Sequence, residues 1–187
     1  AQDIYNATTF SEIDDSKAVV SLPLKSHYNT GSSEVTENIG SVGGTFSLGD
    51  GTTSTTYPAQ LKHGMLFDGG DYLQASSSSV ADITTGDFTL TCLFETLSTA
   101  VQRIFWKDDG SIGYRLYLAS DGKVAIYPRD GSDNLDIRGT SVCNGGALYS
   151  ASYVHDKTNG TAYIYVNGIL ENSGSLAAID SLTNSDI

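Results

Sequence analysis

Three prolines, two cysteines, one methionine and one tryptophan are all that 187 residues contain of those types. Two cysteines are too few for the disulfide framework of a small secreted scaffold. A chain this long does not need one, since it buries about 70% of the surface its unfolded form exposes. Cys92 falls within an alternating strand pattern, where a free thiol behaves as a small apolar residue; a bridge to Cys143 and two free thiols both stay open. Basic residues are scarce as well, with 10 Lys and Arg against 22 Asp and Glu and a formal net charge of −12. No basic run exists to displace counterions from a phosphate backbone, which excludes nucleic acid as a partner, and the acidity reads as a solubility device. No apolar stretch approaches the ~20 residues of a membrane span, and the opening AQDIYNATTF has neither the basic nor the apolar region of a signal peptide.

Catalytic combinations are equally thin. Glycosidases set two carboxylates across the scissile bond, whereas Glu12, Glu34, Glu37, Glu95 and Glu171 stand isolated. Glu95 alone lies on a core-region strand, with no acidic residue two or four places away, and reads as a solvated strand residue. His27, His63 and His155 lack the close spacing of metal sites and are expected on surfaces or turns. The glycine-rich stretches contain no G-x-x-x-x-G-K-[ST] cradle. The expectation is a protein that is not an enzyme and requires no cofactor.

What is present is a period of two. Phe88, Leu90, Cys92 and Phe94 point one way, with Thr89, Thr91 and Glu95 opposite, the mark of a half-buried strand. Tyr114, Leu116 and Leu118 oppose Arg115 and Tyr117. After Asp121-Gly122, Val124 and Ile126 oppose Ala125, Tyr127 and Arg129, which predicts a hairpin. Leu148 to Val154 alternates, and Ala162, Ile164 and Val166 alternate with Tyr163 and Tyr165 before Asn167-Gly168, a type I′ turn signal. Upstream, Met65 and Phe67 share a face ahead of the Asp68-Gly69-Gly70 turn. Ala18 to Leu24 reads as an edge strand blunted by Pro23, and residues 1–16 read as an N-terminal arm. No segment holds a helical period over the ~11 residues such an assignment needs, and turn signals recur every ~8–12 residues from position 68. The fold class expected is all-β, an antiparallel β-sandwich or jelly roll.

Four blocks in order carry a family resemblance: MLFDGGDYLQA (65–75), GDFTLTCLFE (86–95), RIFWKDDGSIGYRLYLASDGKVAIY (103–127) and ALYSASYVHDKTNGTAYIYVNGIL (147–170). Over roughly residues 17–171 the chain resembles laminin-G-like domains of the concanavalin A-like lectin and glucanase superfamily, with Leu93, and Leu148 or Tyr149, where Trp is usual. The resemblance implies one sandwich domain over 17–187 in which the family's last strand is missing. The expectation is therefore that the natural chain continues past Ile187, or that the edge beside Ala18 to Leu24 is covered by polypeptide from outside this segment. It also implies one structural Ca²⁺ at the rim, with Asp68, Asp71, Asp108 and Asp109 as candidate ligands; turn formation is the competing role of these residues.

For a sugar or protein partner the candidates are Arg115, Tyr117, Tyr127, Arg129, Tyr163 and Tyr165, since exposed aromatics offer flat apolar faces and arginines offer donors. Asn6-Ala7-Thr8 and Asn159-Gly160-Thr161 match the glycosylation acceptor pattern. The functional expectation is a structural or decoration role beside other protein subunits in an assembly such as a phage capsid or tail fibre. The alternative is a glycan- or protein-binding recognition module. Either role places the protein outside the cell or on a virion surface.

Overall fold

Residues that alternate between apolar and polar bury one face of a strand and leave the other to solvent, and among the described residues every regular element is a β-strand. The computed structural model describes residues 28–29, 34–37, 45–50, 59–61, 64–67, 69–75 and 86–184. The expected arm at 1–16, the strand Ala18 to Leu24, His27, His63, Asp68 and the chain end at Ile187 lie outside them. Two units pack separately, residues 1–81 with Ile187 and residues 82–186.

The first unit contains β1 (Tyr28–Asn29), β2 (Glu34–Glu37), β3 (Thr45–Asp50), β4 (Ala59–Leu61), β5 (Gly64–Leu66) and β6 (Asp71–Ala75). Strands β1-β2-β3-β6 form one antiparallel sheet and β4-β5 a separate pair. Gly69, in the expected turn before β6, takes a φ of +102°.

The second unit is built from β7 (Phe88–Phe94), β8 (Gln102–Asp108), β9 (Ile112–Leu118), β10 (Lys123–Ile126), β11 (Arg129–Asp130), β12 (Ile137–Val142), β13 (Tyr149–Asp156), β14 (Thr161–Val166) and β15 (Ile169–Ser175). One antiparallel sheet runs β15-β14-β13-β7. In the other, β8 lines one edge of β9, β10 and β11 line the other, and β12 lies outside β10. Tyr114, Leu116, Leu118, Val124 and Ile126 from the second sheet meet Ala151, Tyr153, Ala162, Ile164 and Val166 from the first, all buried in one cluster. Burying each large apolar side chain of this kind contributes roughly 1.5–3 kcal/mol, so this seam is the main source of stability. Leu176, Ile179 and Leu182 join the same cluster from a segment without strand pairing. Lys157 Nζ holds that segment by donating to the Leu176 and Ile179 carbonyls. Lys107, itself buried, donates to the Asn184 carbonyl and to its Oδ1.

Turns place these strands as their residues dictate. Ala119 N donates to Lys123 O and Gly122 N to Ala119 O, closing the expected hairpin. Asn167 and Gly168 take φ of 50° and 76°, both positive as a type I′ turn requires. Asn167 Oδ1 also accepts from Ser150 N at 2.9 Å, tying the turn to β13. Beside it, Glu171 Oε2 accepts from Thr140 N and Ser141 N at 2.8 and 3.1 Å. A carboxylate from one sheet thereby takes up backbone donors of the other sheet's edge strand.

One open reading closes and one changes. Cys92 and Cys143 are free thiols, and burial pushes Cys92 up to about 12. His155 is not at the surface. Strand β13 continues to Asp156, past the Val154 limit read from the sequence, so His155 falls on the inward side with Ala151 and Tyr153. It stacks on Phe88 at 4.7 Å and shares a 2.6 Å hydrogen bond between its Nδ1 and Tyr153 Oη. Burial first, then the Lys157 charge, lowers its pKa to about 4.

Gly168→Val forces a β-branched residue into positive φ, and should cost about 1–3 kcal/mol, read as a fall in Tm by circular dichroism. An unchanged Tm would contradict the turn. For His155, the folded-state pKa lies below the ordinary 6.5, so its contribution is present above pH ~6.5 and is lost as pH falls toward ~4. In His155→Gln the stability difference between pH 7 and pH 4, from denaturant melts, should narrow by on the order of 1–3 kcal/mol.

Candidate functional site

The outer face of the β8–β12 sheet is a grid set by its registers. One cross-strand row runs Arg103, Tyr117, Ala125 and Arg138. The next holds Trp106, Arg115 and Tyr127, the last tied in by its N–H to the Arg115 carbonyl at 3.0 Å. The third holds Asp108, Gly113 and Arg129. A bulge between Arg103 and Phe105 makes the first two rows agree. It inserts one residue, so Arg103 and Trp106 share the outer face although their spacing is odd.

Along this grid guanidiniums and rings alternate. Arg103 Cζ lies 4.2 Å and Arg115 Cζ 3.9 Å from the Trp106 ring centre, and Arg115 and Arg129 lie 5.1 and 5.8 Å from that of Tyr127. Contacts of this kind stabilise by about 0.5–2 kcal/mol each. Asp108 anchors the ladder with a fully buried side chain. Arg115 Nε approaches its Oδ2 at 2.5 Å, Arg129 Nε bonds both its oxygens at 3.0 and 2.9 Å, and Arg129 Nη2 adds a further ion pair. Burial alone would raise this carboxyl, but the hydrogen bonds from Arg129, Arg115 and Gly110 N outweigh it and hold it below the usual range. Arg129 is raised in return, chiefly by its bond to Asp108. Gly113 opposite must be glycine, because a Cβ would sit 2.1 Å from the Lys107 carbonyl and its φ is +144°.

At the end of the ladder a depression of about 150 Å³ opens between the β8–β9 turn and the turn after β11. Tyr127, Arg129, Ser111, Ser132, Asn134 and the carboxylate residue Asp133 line it. The face is thus rich in fixed N–H donors and hydroxyls.

The six sequence-derived binding candidates do not form one surface. Arg115, Tyr117, Tyr127 and Arg129 share this face, while Tyr163 and Tyr165, with ring centres 6.4 Å apart, lie on the outer face of the opposite sheet. The sequence shows only that each points away from the core, and a sandwich has two such sides. Nor are the rings bare platforms, since arginines occupy the Trp106 and Tyr127 faces. Arg103 and Trp106 were missed because the bulge breaks the simple alternation, and Arg138 because only its pairing with Ala125 brings it into the row; the pairing of Trp106 with Arg115 across the β8–β9 hairpin is the signal that finds the first two. Of the calcium candidates, Asp108 ends a strand, and Asp109 Oδ1 accepts from Ser111 N and Ile112 N at 2.8 Å. Their oxygens serve arginines and backbone donors. Asp71 lies in β6 of the other unit. Among the described residues no three His, Cys, Asp or Glu gather at metal-binding range.

No curated protein matches the chain. Solved structures do. The receptor-binding domain of botulinum neurotoxin D superposes with a TM-score of 0.58 at 13% identity, covering 92% of this chain and 43% of that one. The binding domain of Paraclostridial Mosquitocidal Protein 1 gives 0.54 at 13%, covering 89% and 38%. The Ruminococcus gnavus IT-sialidase CBM40 bound to alpha2,3 sialyllactose gives 0.47 at 18%, covering 58% of this chain and 63% of that one. The chain therefore spans less than two thirds of each. The Laminin_G_3 model matches residues 67–187, and with the two-sheet architecture this match makes the chain a member of the concanavalin A-like lectin/glucanases superfamily.

Proposed function

We propose that residues 82–186 form a non-catalytic glycan-binding module whose ligand lies on the outer face of the β8–β12 sheet, in an extracellular protein. The observation that carries this is the Arg103–Trp106–Arg115–Tyr127–Arg129 ladder. Arginine is costly to order, and a ligand gains most from donors whose orientation is already fixed. Here the rings hold the guanidiniums from the side and Asp108 holds two of them from below, so their remaining N–H groups are set before a ligand arrives. Sugar oxygens are acceptors suited to such a surface, and the depression beside Tyr127 and Arg129 adds shape to it.

The ladder has the organisation of a recognition surface. Asp108, neutralised by two arginines, is charged and buried, and has no proton to give a leaving group. The neighbours named above are binding domains by description, which supports recognition; the capsid or tail-fibre role expected from the sequence has no counterpart among them.

The test is glycan-array screening of the full chain, followed by titration of any hit against variants. Trp106→Ala and Tyr127→Ala should each weaken binding about tenfold without loss of cooperative melting. Tyr163→Ala, on the opposite sheet, should leave affinity within about twofold. A hit weakened by Tyr163→Ala and untouched by Trp106→Ala would move the site to the other face and refute this assignment.

A further inference from the structure

The glycan reading leaves the ligand class open, and the distribution of cations narrows it. The chain has four arginines in all, Arg103, Arg115, Arg129 and Arg138, and the registers place every one on this outer face. Two of the three lysines in residues 86–184 are turned to internal work, Lys107 on Asn184 and Lys157 on the Leu176 and Ile179 carbonyls. In a chain of net charge −12 the four arginines thus stand together on a single sheet face.

Not all of that charge is spent within the face. Arg115 and Arg129 are neutralised in part by Asp108. Arg138 reaches Asp121 and Asp136 only at 3.8 and 3.7 Å, with 46% of its side chain exposed, a distance and exposure at which a pair contributes little. Arg103 is exposed and has no carboxylate at ion-pair distance among the described residues. Arg103 and Arg138 end one cross-strand row, with half-buried Tyr117 and fully buried Ala125 between them. Three strand spacings separate their backbones by about 14 Å; the Arg103 guanidinium leans over Trp106, and Tyr117 Oη between them donates to Asp136 Oδ1 at 3.4 Å.

We infer that the glycan taken up here is acidic, its carboxylate or sulfate held by Arg103 and Arg138 above Tyr117 and Ala125. This rests on the glycan reading above. Guanidinium forks match the paired oxygens of either group.

The experiment titrates the full chain with three tetrasaccharides by calorimetry: a neutral β-1,4-galactotetraose, a galacturonate tetramer bearing carboxylates, and a sulfated galactan tetramer. At least one charged probe should bind about tenfold or more tighter than the neutral one at low salt, and the advantage should shrink as NaCl rises. Which charged probe wins identifies the anion. In Arg103→Gln and Arg138→Gln the charged-to-neutral affinity ratio should fall about tenfold, with cooperative melting retained because both side chains are exposed. Equal binding of all three probes, or a ratio that neither variant moves, overturns the acidic assignment alone. Binding of none of them, together with a blank glycan array, overturns the glycan reading and this inference with it.

Discussion

A carboxylate removed from water is costly, and a protein keeps one only where cations and N–H donors surround it. Asp108 is that group here, and the arginine-rich outer face is organised around it. The Arg115 and Arg129 guanidiniums must converge on its oxygens, which fixes where their planes lie and so where Trp106 and Tyr127 stack. The backbone conforms to the same demand. Gly110 N caps Asp108 Oδ1 at 2.8 Å, and Gly113 leaves its place in the grid empty so that β8 and β9 close upon each other. Removing the Asp108 charge would leave two half-buried guanidiniums facing one another, so the face and the hairpin below it stand or fall together.

Legibility in the sequence followed the regularity of the backbone. Strands β7, β9, β10 and β14 alternate in sequence, and their core-facing residues, Leu90, Leu116, Val124 and Ile164 among them, are the ones the period of two selects. The Asn167-Gly168 turn was readable because few residue pairs accept two successive positive φ angles. What escaped is what depends on a partner. Arg103 and Trp106 share a face through a bulge visible only once β8 is laid beside β9. His155 is inward because β13 outlasts its apolar pattern, a histidine being accepted in the core where Tyr153 and Phe88 meet it. Leu176, Ile179 and Leu182 follow no strand period, since they close the core from a segment that makes no ladder.

The two basic residue types divide the work in a way that composition hides. Lysine is a flexible stem ending in a point charge, suited to reaching carbonyls, and Lys107 and Lys157 do so, fastening residues 176–184 to the sandwich. Arginine is planar, stacks on rings and forks toward paired oxygens, and all four copies stand on one outer face. Ten cations among 22 anions look like dilution when counted; in the fold, Lys107 and Lys157 are internal fasteners and the four arginines form an outward surface.

Glu171 has a consequence beyond holding β12 to β15. A strand at the margin of a sheet ordinarily offers unpaired amides to any other strand that passes, and crowded chains polymerise through such margins. At Thr140 and Ser141 those amides already point at a carboxylate of their own molecule. An incoming strand would have to displace a charged acceptor that is tethered in place and never diffuses away. At these two residues the margin is thereby insulated by chemistry, with no need of a covering element.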